Sequence, residues 1–318
     1  MVRSLTVAAI QMRCEPLRTK ENLAHAETFV EQAAAQGAEL VLLPELMPGG
    51  YRLTEEIWSI AELVTGPSVA WLKRTANRFG IFLGMSYAEA DGSDFFNSFI
   101  LATPHGAIAG RVRKSPPASV EAYFFRAGND PHYIDTDIGR IGVGICYENL
   151  LYERIAALHQ ASVDIVIQPT AAGTPTPAFP MRRKDSAAFN CMLKGSTAFY
   201  AQALGVPVVM ANRCGPLVTP LPGGFPAQNT SFPGLSAVAD SDGALVVQLG
   251  AEEGIALAKV ALDPTRKVKD PPKAYGRWAL PVPWYAFLWP LTQKFGERAY
   301  ARHPSRPDRA LAIANAHS

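Results

Sequence analysis

The chain has 318 residues and a mass of 34.3 kDa; 48% are hydrophobic and 18% charged, which gives ample material for a core and excludes disorder over most of the length. Thirty Lys and Arg balance 28 Asp and Glu, a net charge of +2, without the basic excess of a nucleic-acid binder. Cys14, Cys146, Cys191 and Cys214 form no CxxC pair and no metal-type spacing, and the first residues carry no signal-peptide core, so the expectation is a reduced, cytoplasmic protein with mostly buried thiols.

Residues 5–12 (LTVAAIQM) are a β-like run. Helical spacing follows over 19–36, with Leu23, Ala26, Phe29, Val30 and Ala33 on one face and Gly37 as the stop. Residues 39–46 (ELVLLPEL) have the largely apolar pattern of a strand buried on both faces, closed by Pro48-Gly49-Gly50. A second helix is predicted over 67–79, ended by Gly80, and a strand over 81–90. Strands at 95–103 and 107–114 flank Pro104-His105-Gly106, a hairpin signal, and a second pair at 132–137 and 140–147 flanks Gly139. A helix over 152–160, a strand over 164–169, a long helix over 182–204 and a strand over 206–212 come next. Residues 236–249 read as a hairpin turning at Asp240-Ser241-Asp242-Gly243, and 254–262 as a last strand.

Early alternation of strands and helices, with hairpins in the middle and near the end, predicts a layered α/β fold with mixed sheets, one domain over residues 1–263. Residues 264–318 read as an extension, an arm and not a second domain. Its Trp278, Trp284, Tyr285, Phe287 and Trp289 are expected to pack on the arm's own domain or on a neighbouring subunit. The alternative is contact with a membrane surface, since Arg298, Arg302 and Arg306 follow. Prolines argue against a continuous amphipathic helix there, and the apolar stretch 279–291 is too short and too interrupted to span a bilayer.

Three residues stand out chemically. Glu45 lies at the end of an apolar strand before Pro-Gly-Gly, where a carboxylate is either solvated by the loop or put to use. Lys114 ends a predicted strand before Pro116-Pro117, and by itself reads as a surface lysine. Cys146 sits where a buried strand turns towards a helix, a rigid place for a nucleophile whose neighbouring backbone N–H groups can face an oxyanion, although a lone Cys there also reads as a small buried hydrophobe. The chemistry of a thiol nucleophile asks for these partners. A carboxylate takes the proton of a thiol with a pKa near 8.5, and an ammonium stabilises the charge that develops on the attacked group. No metal or organic cofactor is needed. The six histidines show no metal-ligand spacing, and most are expected at the surface.

Together, the order and local words of these residues resemble the nitrilase superfamily of carbon–nitrogen hydrolases. The likeness runs from Leu5 to Leu262. It rests on Ala8-Ala9-Ile10-Gln11-Met12, on Leu43-Pro44-Glu45 followed by Gly50-Tyr51, and on Asp94-Phe95-Phe96-Asn97-Ser98 followed by Gly106 and Arg113-Lys114. It is completed by Gly144-Ile145-Cys146-Tyr147-Glu148 and Ala211-Asn212-Arg213. The resemblance implies a four-layer α-β-β-α sandwich, here with a C-terminal extension, dimerised or assembled into a higher homo-oligomer. It also implies a triad of Cys146 as nucleophile, Glu45 as general base and Lys114 as stabilising cation, with Glu121 as a second glutamate. Tyr51, Tyr147, Thr170 and Ala171 are expected to touch substrate, a small-molecule amide or nitrile. The small residues and prolines of 170–177 predict a rigid pocket wall with little charge.

The chain departs from the family pattern in two places. Many family amidases have His-Leu after the lysine, where this chain has Ser115-Pro116-Pro117, and many have Asp where this chain has Glu148. Cys-aromatic-Glu-Asn is closer to the true nitrilases, so the two features point to different branches. The Pro pair is expected to reshape the pocket rim. The reading is therefore an amidase acting through a Cys thioester, with a nitrilase or an N-carbamoyl amide hydrolase as alternatives. A non-catalytic binding protein on the same fold is the reading from another class. The lipoprotein acyltransferases of the superfamily carry several transmembrane helices, which this sequence lacks. Arg182-Arg183-Lys184-Asp185 reads as a solvated helix start, or as a place where an Arg meets a substrate carboxylate or a partner subunit.

Overall fold

Along the first strand, β1 (Arg3–Gln11), successive side chains enter two different cores. Leu5, Val7 and Ala9 face a second sheet, and Ala8 and Ile10 face helices, the period-two pattern of a strand covered on both sides. This computed structural model describes residues 2–177 and 181–316. In chain order β1 is followed by α1 (Thr19–Ala35), β2 (Leu40–Leu42), α2 (Pro67–Phe79), β3 (Phe82–Asp91), β4 (Asp94–Ala102) and β5 (Ile108–Arg113). Then come β6 (Tyr133–Thr136), β7 (Gly139–Val143), α3 (Tyr152–Gln160), β8 (Ile165–Pro169), α4 (Arg183–Leu204) and β9 (Val208–Ala211). The chain continues through β10 (Cys214–Thr219), β11 (Gln228–Pro233), β12 (Ala237–Ala239), β13 (Leu245–Gln248), β14 (Gly254–Leu262), α5 (Leu288–Ala301) and α6 (Arg306–Ala316).

One six-stranded sheet has the order β14-β1-β2-β3-β4-β5, the other β13-β12-β9-β8-β7-β6. Their facing sides share one core, in which Leu5 and Val7 meet residues such as Val143, Ile167 and Val209. Helices α1 and α2 cover the outer face of the first sheet through Leu23, Ala26, Val30, Val69 and Leu72. On the outer face of the second sheet, α3 and α4 pack Ile155, Leu158, Tyr200 and Leu204. The result is the α-β-β-α sandwich expected, and the parallel pairs β1–β2–β3 and β7–β8–β9 aim their C-terminal ends at the same region.

Three differences from the sequence expectation have physical causes. The strand predicted at 39–46 pairs only over Leu40–Leu42, because Pro44 has no N–H for a ladder and Leu46 adopts a positive φ of 50°. The β10–β11 hairpin was not expected, since Gly215, Pro216, Pro220 and Pro222 break its apolar alternation. The arm does contain a continuous helix: Pro281 and Pro283 precede α5, and Pro290 stands in its first turn, where a missing N–H costs no intrahelical bond.

The arm's aromatics divide into two groups. Trp278, Tyr285 and Trp289 pack edge-on with each other or with Tyr147 and Phe189. Trp284 and Phe287 stay 49% and 62% exposed, so only part of the cluster is covered by its own chain. No helix among the described residues is long and apolar enough to cross a membrane.

Candidate active site

Glu45 follows the short β2, and its side chain is fully buried, which removes the solvated alternative. Its Oε1 accepts hydrogen bonds from Lys114 Nζ at 2.5 Å and Asn97 Nδ2 at 2.7 Å. Its Oε2 is buried with no partner among the described residues, an unused acceptor that a native interior rarely leaves. Burial raises the Glu45 carboxyl above the usual carboxylate range; Lys114 pulls it down, Glu121 adds to the rise, and the net direction is up. Asn97 is itself fixed, because its Oδ1 accepts from Ser86 Oγ, which in turn accepts from the Leu46 N–H.

Lys114 is fully buried at the end of β5, not on the surface. It bridges two carboxylates, with Nζ 2.7 Å from Glu121 Oε2 as well as bonded to Glu45. Burial disfavours its charge, but Glu121 and Glu45 together outweigh that and hold the ammonium well above the ordinary lysine range. Glu121 sits in a 3-10 turn, Ser119–Tyr123, and its Oε1 accepts from the Tyr51 hydroxyl at 2.6 Å.

Cys146 opens a second 3-10 turn, Cys146–Leu150, with φ of 50°. A non-glycine residue in the left-handed region is held there by its surroundings. Those surroundings are Asn149, whose Nδ2 donates to the carbonyls of Gly144 (2.8 Å) and Cys146 (3.1 Å) while its Oδ1 accepts from Gln168 at 3.1 Å. Gly144 is required by this clamp, since a Cβ there would lie 1.9 Å from Asn149 Oδ1. The thiol is partly buried. Burial, then the charge of Glu45, hold it well above its ordinary pKa; Lys114 and a hydrogen bond from the Ala171 backbone pull the other way. The resting group is therefore a thiol, and it needs a base at the moment of attack.

Of the residues expected to touch substrate, Tyr51, Tyr147, Thr170 and Ala171 all line one cavity of about 360 Å³ that includes Cys146. The Tyr51 hydroxyl is committed to Glu121, and its ring stands edge-on to Phe232 of the unexpected hairpin. The Thr170 hydroxyl donates to the Gln168 carbonyl. Tyr147 is 5% exposed, its hydroxyl has no partner among the described residues, and burial pushes it up to about 12. Arg182, Arg183 and Lys184 are exposed and do not line this cavity, while Asp185 caps α4 and accepts from the Trp284 indole. The thiols are not uniformly buried, because Cys191 is exposed.

Sequence reasoning missed a buried triplet beside the site. His132, one of six histidines of which most were expected at the surface, is 7% exposed and bonds Glu148 at 2.7 Å, and Arg154 reaches the same oxygen at 3.2 Å. Burial opposes the Glu148 charge, yet His132 and Arg154 hold its carboxyl below the usual range. No short motif signals this cluster, since His132 and Arg154 lie 16 and 6 residues from Glu148. The arm was also missed as a wall: Tyr285, Leu288 and Trp289 line the cavity.

A family model described as carbon-nitrogen hydrolase matches residues 6–270. An N-carbamoylputrescine amidase of Solanum lycopersicum is 28% identical over 284 residues, covering 86% of this chain and 91% of the relative. A nitrilase of Pyrococcus abyssi (strain GE5 / Orsay) is 33% identical over 168 residues, 51% of this chain and 63% of the relative. The solved carbon-nitrogen hydrolase from Helicobacter pylori G27 superposes with a TM-score of 0.73 at 23% identity, over 83% of this chain and 91% of that one.

Proposed function

Because the chain belongs to the carbon-nitrogen hydrolase family, we propose that it hydrolyses small-molecule amides through a thioester on Cys146. The observation that carries this reading is the split use of the Glu45 carboxylate. One oxygen is saturated by Lys114 and Asn97, and the other is buried and free to accept a proton. Glu45 takes the thiol proton as Sγ attacks the carbonyl carbon, and the Lys114 ammonium stabilises the oxyanion. The C–N bond then breaks, Glu45 returns the proton to the leaving ammonia or amine, and a thioester remains. Water, deprotonated by Glu45, adds to the thioester; the C–S bond breaks, the proton goes back to sulfur, and the acid leaves. Glu121 holds Lys114 from its other side and keeps the ammonium charged.

A nitrile would meet the same thiol, and the likeness to the Pyrococcus abyssi nitrilase together with Cys146-Tyr147-Glu148-Asn149 supports this as the second reading. The test is ammonia release from matched amides, nitriles and N-carbamoyl compounds, with Cys146→Ala beside the wild type. Release that disappears in the variant supports the thiol mechanism, and the preferred compound names the subclass. Release that survives the substitution overturns it.

A further inference from the structure

The walls of the cavity around Cys146 are unlike the buried charges of the triad. Among the described residues, no Asp, Glu, Lys, Arg or His lines it. Glu45, Lys114 and Glu121 are fully buried and are not among the residues that line the cavity, so none of them meets a substrate's tail there. Met181, Phe189, Met192, Leu193, Met210 and Leu217 supply much of the surface. The polar side chains present are largely committed within the protein: Asn149 to the Cys146 turn, Gln168 to Asn149, Thr170 to its own strand and Ser196 to the Leu193 carbonyl. The hydroxyls of Tyr147, Thr176 and Tyr285 have no partner among the described residues, and both tyrosine rings pack on Trp289. They can meet an uncharged polar atom but cannot neutralise an ion. A charged group taken into such a wall loses its hydration without a partner.

The arm completes this wall. Trp284 donates to Asp185 at the start of α4, and Ser119 bonds Thr292 beside the turn that carries Glu121. Gly296 lets α5 approach that turn closely, for a Cβ there would come 2.8 Å from the Ala122 backbone. Tyr285, Leu288 and Trp289 are thus held over the cavity by a segment beyond the residues that the family model matches.

We propose that the site takes uncharged acyl groups with an aliphatic or aryl body, and that Tyr285, Leu288 and Trp289 of the arm are its specificity wall. The proposal rests on the hydrolase reading for the reaction but not for the binding, and its test separates the two. Binding of propanamide, butanamide, pentanamide and hexanamide to the Cys146→Ala protein is measured by calorimetry. Two cationic probes, 6-aminohexanamide and N-carbamoylputrescine, and one anionic probe, the monoamide of adipic acid, are measured beside them. Each added methylene is expected to tighten Kd by about fourfold. The charged probes are expected to bind at least about 30-fold more weakly than hexanamide, the loss of an unpaired charge in an apolar wall.

Trp289→Ala and Leu288→Ala, each made in the Cys146→Ala protein, are expected to flatten this dependence. The ratio of hexanamide to propanamide affinity is the readout, because it does not depend on how much of a preparation is folded. Affinities independent of chain length, charged probes bound as tightly as hexanamide, or ratios unmoved in both arm variants overturn the proposal. A clear gradient with no ammonia released by the wild type leaves the pocket inference standing and removes the hydrolase reading. Ammonia release without a gradient does the reverse.

Discussion

Glu148 accepts the backbone N–H of Ser115 at 2.6 Å, and so ties the residue after Lys114 to the turn that carries Cys146. Its second oxygen accepts the N–H of Ile145, the residue before the cysteine, also at 2.6 Å. One carboxylate therefore sets the spacing between two members of the triad, and His132 and Arg154 hold that carboxylate in turn.

Glu148→Gln is expected to cost about 3–5 kcal/mol, because it leaves the buried Arg154 without its charge partner. The sign with pH follows from the lowered carboxyl. Its contribution is complete above the ordinary glutamate pKa of about 4.3 and is lost as pH falls through the lower folded value. Thermal unfolding from pH 7 down to pH 3 should show a shallower acid loss in the variant than in the wild type. A parallel loss in both would assign acid sensitivity to other groups.

Glu45→Gln keeps the Asn97 and Lys114 contacts approximately in shape but removes the base. The expected fall in kcat is about 10²–10⁴-fold. In the wild type, kcat/KM should fall as pH drops through a value above the ordinary glutamate pKa, because the base must be ionised and burial raises it. The variant should lose that limb, and a wild-type limb at or below the ordinary value would contradict the geometry.

Alkylation reports the state of the thiol. In a Cys191→Ser background, which removes the exposed competitor, iodoacetamide should react with Cys146 at a rate that keeps rising past the ordinary thiol pKa of about 8.5. A rate already level at pH 7 would mean a preformed thiolate, and Glu45 would not be needed for the attack.

Gly144→Ala places a methyl where Asn149 Oδ1 now lies. Asn149 must withdraw and give up its bonds to the Gly144 and Cys146 carbonyls, at a cost of about 1–3 kcal/mol. The released turn should lower kcat by roughly 10²-fold, the scale set by a misplaced reacting atom. Melting temperature and kcat are read together, and an unchanged kcat in a destabilised variant would remove Asn149 from the positioning of Cys146.

The candidate site was legible where its chemistry sits in short local words. Glu45, Lys114 and Cys146 each end or follow a strand, and the parallel runs β1–β2–β3 and β7–β8–β9 place strand ends on one side of each sheet. Glu121 was legible only through the family resemblance, which implies a second glutamate between the lysine and the cysteine. His132 was not, since its partner lies 16 residues away and a histidine before a strand carries no mark of burial. Tyr51 was read as a substrate contact, and it lines the cavity, but the commitment of its hydroxyl to Glu121 is a contact across 70 residues that no local pattern encodes. The β10–β11 hairpin and the arm helix were hidden by prolines and glycines, whose local signals speak for turns even where tertiary packing decides otherwise.

Placing Trp289 over the cavity has a consequence for the newly made chain. The sulfur, its base and its cation all lie in the first 146 residues, but the wall that shapes the cavity comes from a helix beginning at Leu288. During synthesis from the N-terminus, the reactive cluster emerges long before the surface that selects what reaches it. Until the arm docks, a nascent thiol is exposed to solutes that the finished protein would exclude. The raised pKa of Cys146 comes from burial and from the charge of Glu45, so it belongs to the packed cavity and gives the thiol no protection before packing is complete.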